Sequence, residues 1–290
     1  MINWQGFSQN YRLWQRRCLY PLISVTVALT ICLITPVATK AIDLLPLLFQ
    51  GVQILNLSNM SDRQEVEFGQ QMNQEIRQEV RISRNLQLNR YLEEIGRRLA
   101  TNSDRPNLTY TFQIVEDPAV NAFATAGGFL YMNTGLLKAA ENEGEVASVL
   151  AHEMGHIEGK HLIKQMRQQA ITSGIASATG LDRSQAVGLG VQLALNLPRS
   201  RKDELDADKR GLKTLTRSGY APSAMVSFMQ KLQGSSSVPT ILSTHPGTDT
   251  RIRELQKQIK NLPSNTYQPS NRNNGLDKAA YQAKIRAFLQ

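Results

Sequence analysis

The sequence predicts a mainly helical α+β domain with a small, mostly antiparallel sheet. Three observations carry this. Apolar residues recur at three- and four-residue intervals through most of the stretch 61–262. Only two short segments alternate as strands do. About 230 to 250 residues remain beyond an apolar amino-terminal segment, the size of one domain with its own core.

Taken in order, residues 1–41 read as a signal peptide or signal anchor. Arg12, Arg16 and Arg17 precede an uncharged stretch from Cys18 to Thr39, and the charge bias places the amino terminus in the cytoplasm and everything after it across the membrane. Cleavage after Ala41 and retention as an anchor both fit. Residues 42–60 are apolar but broken by Pro46 and Gly51, which favours association with a membrane surface over a span. Both cysteines, Cys18 and Cys32, precede residue 42, so the exported part has neither disulfides nor thiolate ligands.

The domain itself is expected over 61–262. Ser61 with Gln64 forms a capping-box signal for a helix carrying Val66, Met72, Ile76 and Val80, and Leu88, Tyr91, Leu92, Ile95 and Leu99 mark a second. Tyr110 to Glu116 reads as a strand, and Phe129 to Met132 as another after the Gly127-Gly128 turn. Asn142 and Glu145 open a helix with a buried face at Val146, Val149, Leu150 and Met154. Ile171 to Leu197, rich in Gly, Ala, Ser and Leu, is expected to form short helices. Residues 263–290 begin as a polar linker, and Lys278 to Leu289 has the length of a short final helix.

The chemistry lies in the third of these helices. Three of four histidines fall between positions 152 and 161, and two frame His152-Glu153-Met154-Gly155-His156. Residues four apart on a helix stand one turn above each other, so both imidazoles face one ion while Glu153 projects beside its open coordination site. A catalytic zinc needs a third protein ligand. The extended pattern with a further histidine requires His at 162, where Leu162 stands. His161 is one residue early and, on a continuing helix, points about 140° away from His156, so it reads as a surface or helix-end histidine. The better third ligand is in the run from Arg201 to Arg210, where Glu204 and Asp208 are one turn apart. Glu204 would close the set and Asp208 would accept the second ring N–H of a ligating histidine. By itself that run reads as a solvated charged face.

Four blocks together resemble a known family. His152-Glu153-x-x-His156, Glu204-x-x-Ala207-Asp208, Ser243-Thr244-His245-Pro246 with Arg251-Ile252, and Asn121-Ala122-Phe123-Ala124 through Gly127-Gly128 to Leu136 resemble, in order, the gluzincin metalloendopeptidases of the HtpX and BepA type, family forty-eight of the metallopeptidases. The resemblance covers roughly residues 62 to 260. It implies a zincin-like fold and a Zn2+ endopeptidase, with His152, His156 and Glu204 as ligands and Glu153 as general base. It also places His245 near the metal, either stabilising the developing oxyanion or binding as a fourth ligand that holds the enzyme latent. Arg251 fits equally a site role or a structural ion pair. Asn121, Ala122 and Phe123, with Gly127 and Gly128, belong to a segment beside the metal helix whose edge strand would pair with an extended peptide. The expected substrate is unfolded or damaged exported or membrane-associated protein, the role being protein quality control. The alternatives are a zinc-stabilised membrane adaptor or holdase and a more selective processing protease.

Charge and motif content exclude other classes. The formal net charge of +9 includes four basic residues before position 42, leaving 29 basic against 24 acidic, and no basic and aromatic interleaving argues for nucleic acid. Ala126-Gly127-Gly128 lacks the lysine and spacing of a nucleotide-binding loop, so no ATP is expected. No internal repeat is evident, and a helical-repeat extension is not expected.

Overall fold

A computed structural model describes residues 60–172, 183–235, 238–263 and 274–289. The expected signal or anchor segment and nearly all of the apolar segment 42–60 lie outside these residues. Among the described residues no helix is long and apolar enough to cross a membrane.

The elements follow from local chemistry. Helix α1 (Asp62–Glu79) starts at the capping box, where Ser61 Oγ accepts from Gln64 N–H and Gln64 Oε1 accepts from Ser61 N–H. Helix α2 (Leu86–Ala100) is capped by Asn85, which the sequence reading did not single out. Strands β1 (Thr111–Val115), β2 (Ala122–Ala124) and β3 (Phe129–Asn133) form one sheet in the order β1-β3-β2. After α3 (Thr134–Ala139) comes α4 (Glu143–Glu158), capped by Asn142 Oδ1 on Glu145 N–H. Then follow α5 (His161–Thr172), α6 (Arg183–Asn196), α7 (Arg201–Arg217), α8 (Ser223–Gln233), α9 (Thr240–Thr244), α10 (Thr248–Lys260) and α11 (Lys278–Leu289).

The sheet is mixed rather than mostly antiparallel. β2 and β3 form the antiparallel pair, Ala122 opposite Met132, but β3 also pairs in parallel with β1 along its whole length, Thr111 opposite Phe129 through Val115 opposite Asn133. The cause is topological: the chain passes beyond β1 to make β2 and then returns between the two, so β3 runs with β1. A loop of this kind leaves no period in the sequence.

Side chains of the sheet divide by parity between two apolar clusters. Ile114, Ala122, Ala124, Leu130 and Met132 join the larger one, with α2, α4, α7, α8, α10 and α11. Val115, Phe123, Phe129 and Tyr131 join the other, with α1, α5 and α6. A sheet covered on both faces explains the unbroken apolar run of β3. Tyr281 and Ile285 of α11 lie in the larger cluster, so the carboxy-terminal helix is part of this core.

Gly127 and Gly128 are held from behind. Their φ values of 72° and 94° lie in the left-handed region. A Cβ on Gly127 would fall 2.6 Å from Glu65 O and one on Gly128 2.4 Å from Thr109 O. They form the turn between β2 and β3, packed on α1 and on the residue pair leading into β1.

Candidate metal centre

Helix α4 is buried around its whole circumference, and so are His152, Glu153 and His156. Glu204 and Asp208 come from α7, which crosses α4 at glycine contacts. A Cβ on Gly155 would lie 2.5 Å from Ala207 O, and one on Gly211 2.9 Å from Ala151 O. These two glycines let the backbones approach closely enough for the short Glu204 side chain to reach the histidines. His245 follows α9, and its backbone N–H donates to Ile241 O.

The four side chains converge. His152 Nε2 lies 3.1 Å from His156 Nε2 and 3.4 Å from Glu204 Oε2, and His156 Nε2 lies 3.3 Å from Glu204 Oε1. His245 Nδ1 is 3.2 Å from His152 Nε2 and 3.1 Å from Glu204 Oε1. One donor atom from each of the four fits within a 4.8 Å span. A tetrahedral ion with bonds of about 2.0–2.1 Å requires donors about 3.3 Å apart, so the spacing fits a metal of zinc's size and the nitrogen and oxygen donors fit its chemistry. Among the described residues neither carboxylate oxygen of buried Glu153 has a hydrogen-bond partner; His245 Nε2 lies 3.5 Å from its Oε1.

Charged groups hold this cluster in place. Asp208 Oδ1 lies 2.9 Å from His152 Nδ1, on the ring edge opposite the cluster. Arg251 donates to both Asp208 oxygens at 2.7 Å, approaches Glu204 Oε2 at 2.7 Å and donates to His245 O at 3.2 Å. It is thus an ion-pair residue that ties three members of the site together. Burial and the Arg251 charge both disfavour protonation of metal-free His152, but Asp208 and Glu204 outweigh them and push its pKa up to about 9. His156, where burial dominates, is held well below the ordinary range. Burial opposes ionisation of Glu204, yet the three histidines hold its carboxyl well below the usual value.

Two buried residues were not assigned to the site from sequence. His161 does stand at a helix end, as the first residue of α5, but it is not on the surface and does not face away: it is 1% exposed, and its Nδ1 lies 2.9 Å from His156 Nδ1. The 140° estimate assumed one continuous helix, but α4 stops at Glu158 and the chain turns through Gly159 and Lys160 before α5 begins. Arg199 donates to Gln165 Oε1 at 2.9 Å and to Ala124 O at 3.4 Å, while its backbone N–H donates to Thr244 O. Burial lowers its pKa, against the charges of Glu153 and Glu204. It sits in a loop with no periodic signal, and only a buried charge reveals it.

The expected substrate residues Asn121, Ala122 and Phe123 stand at and just before β2, at one edge of the sheet. That edge is tied to the His245 segment, because Ile241 N–H donates to Val120 O.

A structural clasp for a metal has no use for an unpartnered buried carboxylate beside its donors, whereas a metallohydrolase does. Comparison with known proteins makes the class specific. Residues 86–259, more than half of the chain, match the model of Peptidase family M48, and the chain belongs to that family. It is an enzyme of the metal-dependent peptidase class. It is 28% identical over 254 residues to a putative beta-barrel assembly-enhancing protease of Vibrio cholerae serotype O1, covering 81% of this chain and 52% of that protein. Over 263 residues it is 26% identical to the beta-barrel assembly-enhancing protease of Escherichia coli strain K12, covering 82% and 52%. Metalloprotease LoiP of the same strain is 28% identical over 256 residues, covering 84% of this chain and 96% of that protein. The chain spans about half the length of the assembly-enhancing proteases it matches.

Proposed function

We propose that this metallopeptidase is a zinc endopeptidase that cleaves unfolded or damaged exported proteins, with His152, His156 and Glu204 as ligands and His245 as a removable fourth. The observation that carries the reading is the buried four-donor cluster within a 4.8 Å span, with Glu153 free of hydrogen bonds among the described residues beside it. When bound, zinc supplies Lewis acidity and lowers the pKa of water to about 7. Glu153, buried and free of competing hydrogen bonds, takes the proton of the attacking water and returns it to the departing amine, a contribution of about 10²- to 10⁴-fold. Asp208 holds the His152 ring, and Arg251 holds Asp208. Asn121 to Phe123 offer main-chain hydrogen bonds to an extended substrate, which binds polypeptide with little side-chain selectivity.

His245 acts as a latch in this reading, because its Nδ1 stands at the same spacing as the other donors. Swinging it out would leave His152, His156 and Glu204 as the protein ligands of a bound zinc, the count a catalytic site needs. The arginines before Cys18 support export, with the domain on the far side of the cytoplasmic membrane as a soluble or membrane-anchored protein. The names of the assembly-enhancing relatives add exported β-barrel proteins to the substrates worth testing.

The test is cleavage of casein by the zinc-loaded chain beside Glu153→Gln and His245→Ala. Activity in the parent or in His245→Ala, lost on adding Glu153→Gln to the active form, supports the reading. Equal activity with and without Glu153→Gln overturns it. Zinc uptake with no cleavage in either form points to the adaptor or holdase. Cleavage confined to one site across several denatured substrates points to a processing protease.

A further inference from the structure

The turn between α4 and α5 is shaped around an imidazole. Gly159 caps α4, Lys160 takes φ 51°, a left-handed value unusual for a residue with a side chain, and His161 begins α5. A Cβ on Gly159 would fall 2.3 Å from His161 Nε2 and 2.6 Å from its Cε1, so only glycine leaves the ring its place. Local strain of this kind persists where the surrounding structure requires the result.

The ring makes two hydrogen bonds. His161 Nδ1 lies 2.9 Å from His156 Nδ1, and His161 Nε2 lies 3.1 Å from Asp206 Oδ2. Asp206 in turn accepts from Arg210 Nε at 2.6 Å. An ionised carboxylate only accepts, so His161 carries its proton on Nε2 and presents a lone pair at Nδ1. Two nitrogens 2.9 Å apart need one proton between them, and that proton belongs to His156 Nδ1. The Nε2 of His156 is then an unprotonated donor, facing Glu204 Oε1 and His152 Nε2.

We propose that His161 is a positioning residue: with Asp206 behind it, it fixes His156 in the ring orientation and Nδ1–H tautomer that present Nε2 to the metal. The two ligating histidines are thus supported differently. A carboxylate backs His152 directly, whereas an imidazole backs His156 and relays to a carboxylate that is itself partly exposed. This inference rests on the metal-site reading above.

The experiment measures the zinc dissociation constant of the whole chain by competition with a chromophoric chelator, and the His156 tautomer of the metal-free protein by ¹⁵N NMR. Four proteins are compared: parent, His161→Phe, His161→Asn and Asp206→Ala. Loss of an outer hydrogen-bond partner costs about 10- to 100-fold in metal affinity, and that is expected for His161→Phe. His161→Asn, which keeps an acceptor near the Nδ1 position, recovers most of the loss. Asp206→Ala weakens binding less than His161→Phe, and it mixes the His156 tautomers, a change that a merely structural role would not produce. A folded His161→Phe that binds within threefold of the parent overturns the inference. Should that variant fail to fold, unchanged affinity and an unchanged tautomer in Asp206→Ala overturn it equally. A parent that takes up no zinc strikes the metal-site reading itself, which separates the two failures.

Discussion

Gly155 stands inside the metal-binding motif but carries no ligand, and replacing it with alanine isolates the packing of α4 on α7. The added Cβ would lie 2.5 Å from Ala207 O, 3.0 Å from Ala207 Cα and 3.1 Å from its carbonyl carbon, all backbone atoms that cannot rotate away. Restoring an ordinary contact of about 3.4 Å to the oxygen requires the helices to part by about 0.9 Å. Glu204, one turn before Asp208 on the displaced helix, moves with it. Metal sites hold their bond lengths to about ±0.2 Å, so a shift of this size removes Glu204 from the donor set or distorts it. Stability changes less. Overpacking costs about 1–3 kcal/mol, and the gain in helix propensity from glycine to alanine returns up to about 1 kcal/mol. The expected signature of Gly155→Ala is therefore disproportion: the thermal midpoint of the metal-free protein falls by a few degrees, while zinc binds more than about tenfold more weakly. Calorimetry and chelator competition read the two quantities on the same sample. A Gly155→Ala chain with parental zinc affinity would refute the claim that close backbone approach positions Glu204.

Gly188, exposed within α6, has no atom of the described residues within 4 Å of where a Cβ would stand; Gly188→Ala is expected to stabilise by about 0.8–1 kcal/mol, and a lowered thermal midpoint would count against it. Asp208 is held below its ordinary 3.8 because Arg251 and His152 outweigh its burial. Its contribution to stability is complete above pH 3.8 and lost as the pH falls through its lower folded value, so Asp208→Asn should flatten the acid limb of a denaturant-melt series on metal-free protein. His152 has the opposite sign. Raised to about 9, it stabilises the metal-free protein fully below pH 6.5 and loses that contribution as the pH rises toward 9. Zinc must displace its proton, so calorimetric titration at pH 7.5 in two buffers of different ionisation enthalpy should show about one proton released per zinc, and no release would contradict the assigned protonation.

What could be read from the chain follows the range over which each feature is encoded. His152, Glu153 and His156 share one helical turn, as do Glu204 and Asp208, and the caps at Ser61 and Asn142 span three residues. Such spacings carry their own geometry. Bringing Glu204 to His156 is another matter: 48 positions separate them, and the family-like order of the blocks, not any periodicity, joined the pair. The parallel β1–β3 pairing, the burial of Arg199 and the contact of His161 with His156 depend on where distant backbone passes. His161 shows the difference most sharply. Its distance from His156 along the chain is only five residues, yet the angular estimate failed because the helix does not continue between them. The clue was present in Gly159, whose missing side chain weakens the helix end and vacates the volume that the ring fills. Glycines at 155, 159 and 211 therefore say the same thing about this fold. Each marks a point where something must come closer to α4 than a methyl group allows: the Glu204 helix at two of them, and a supporting imidazole at the third.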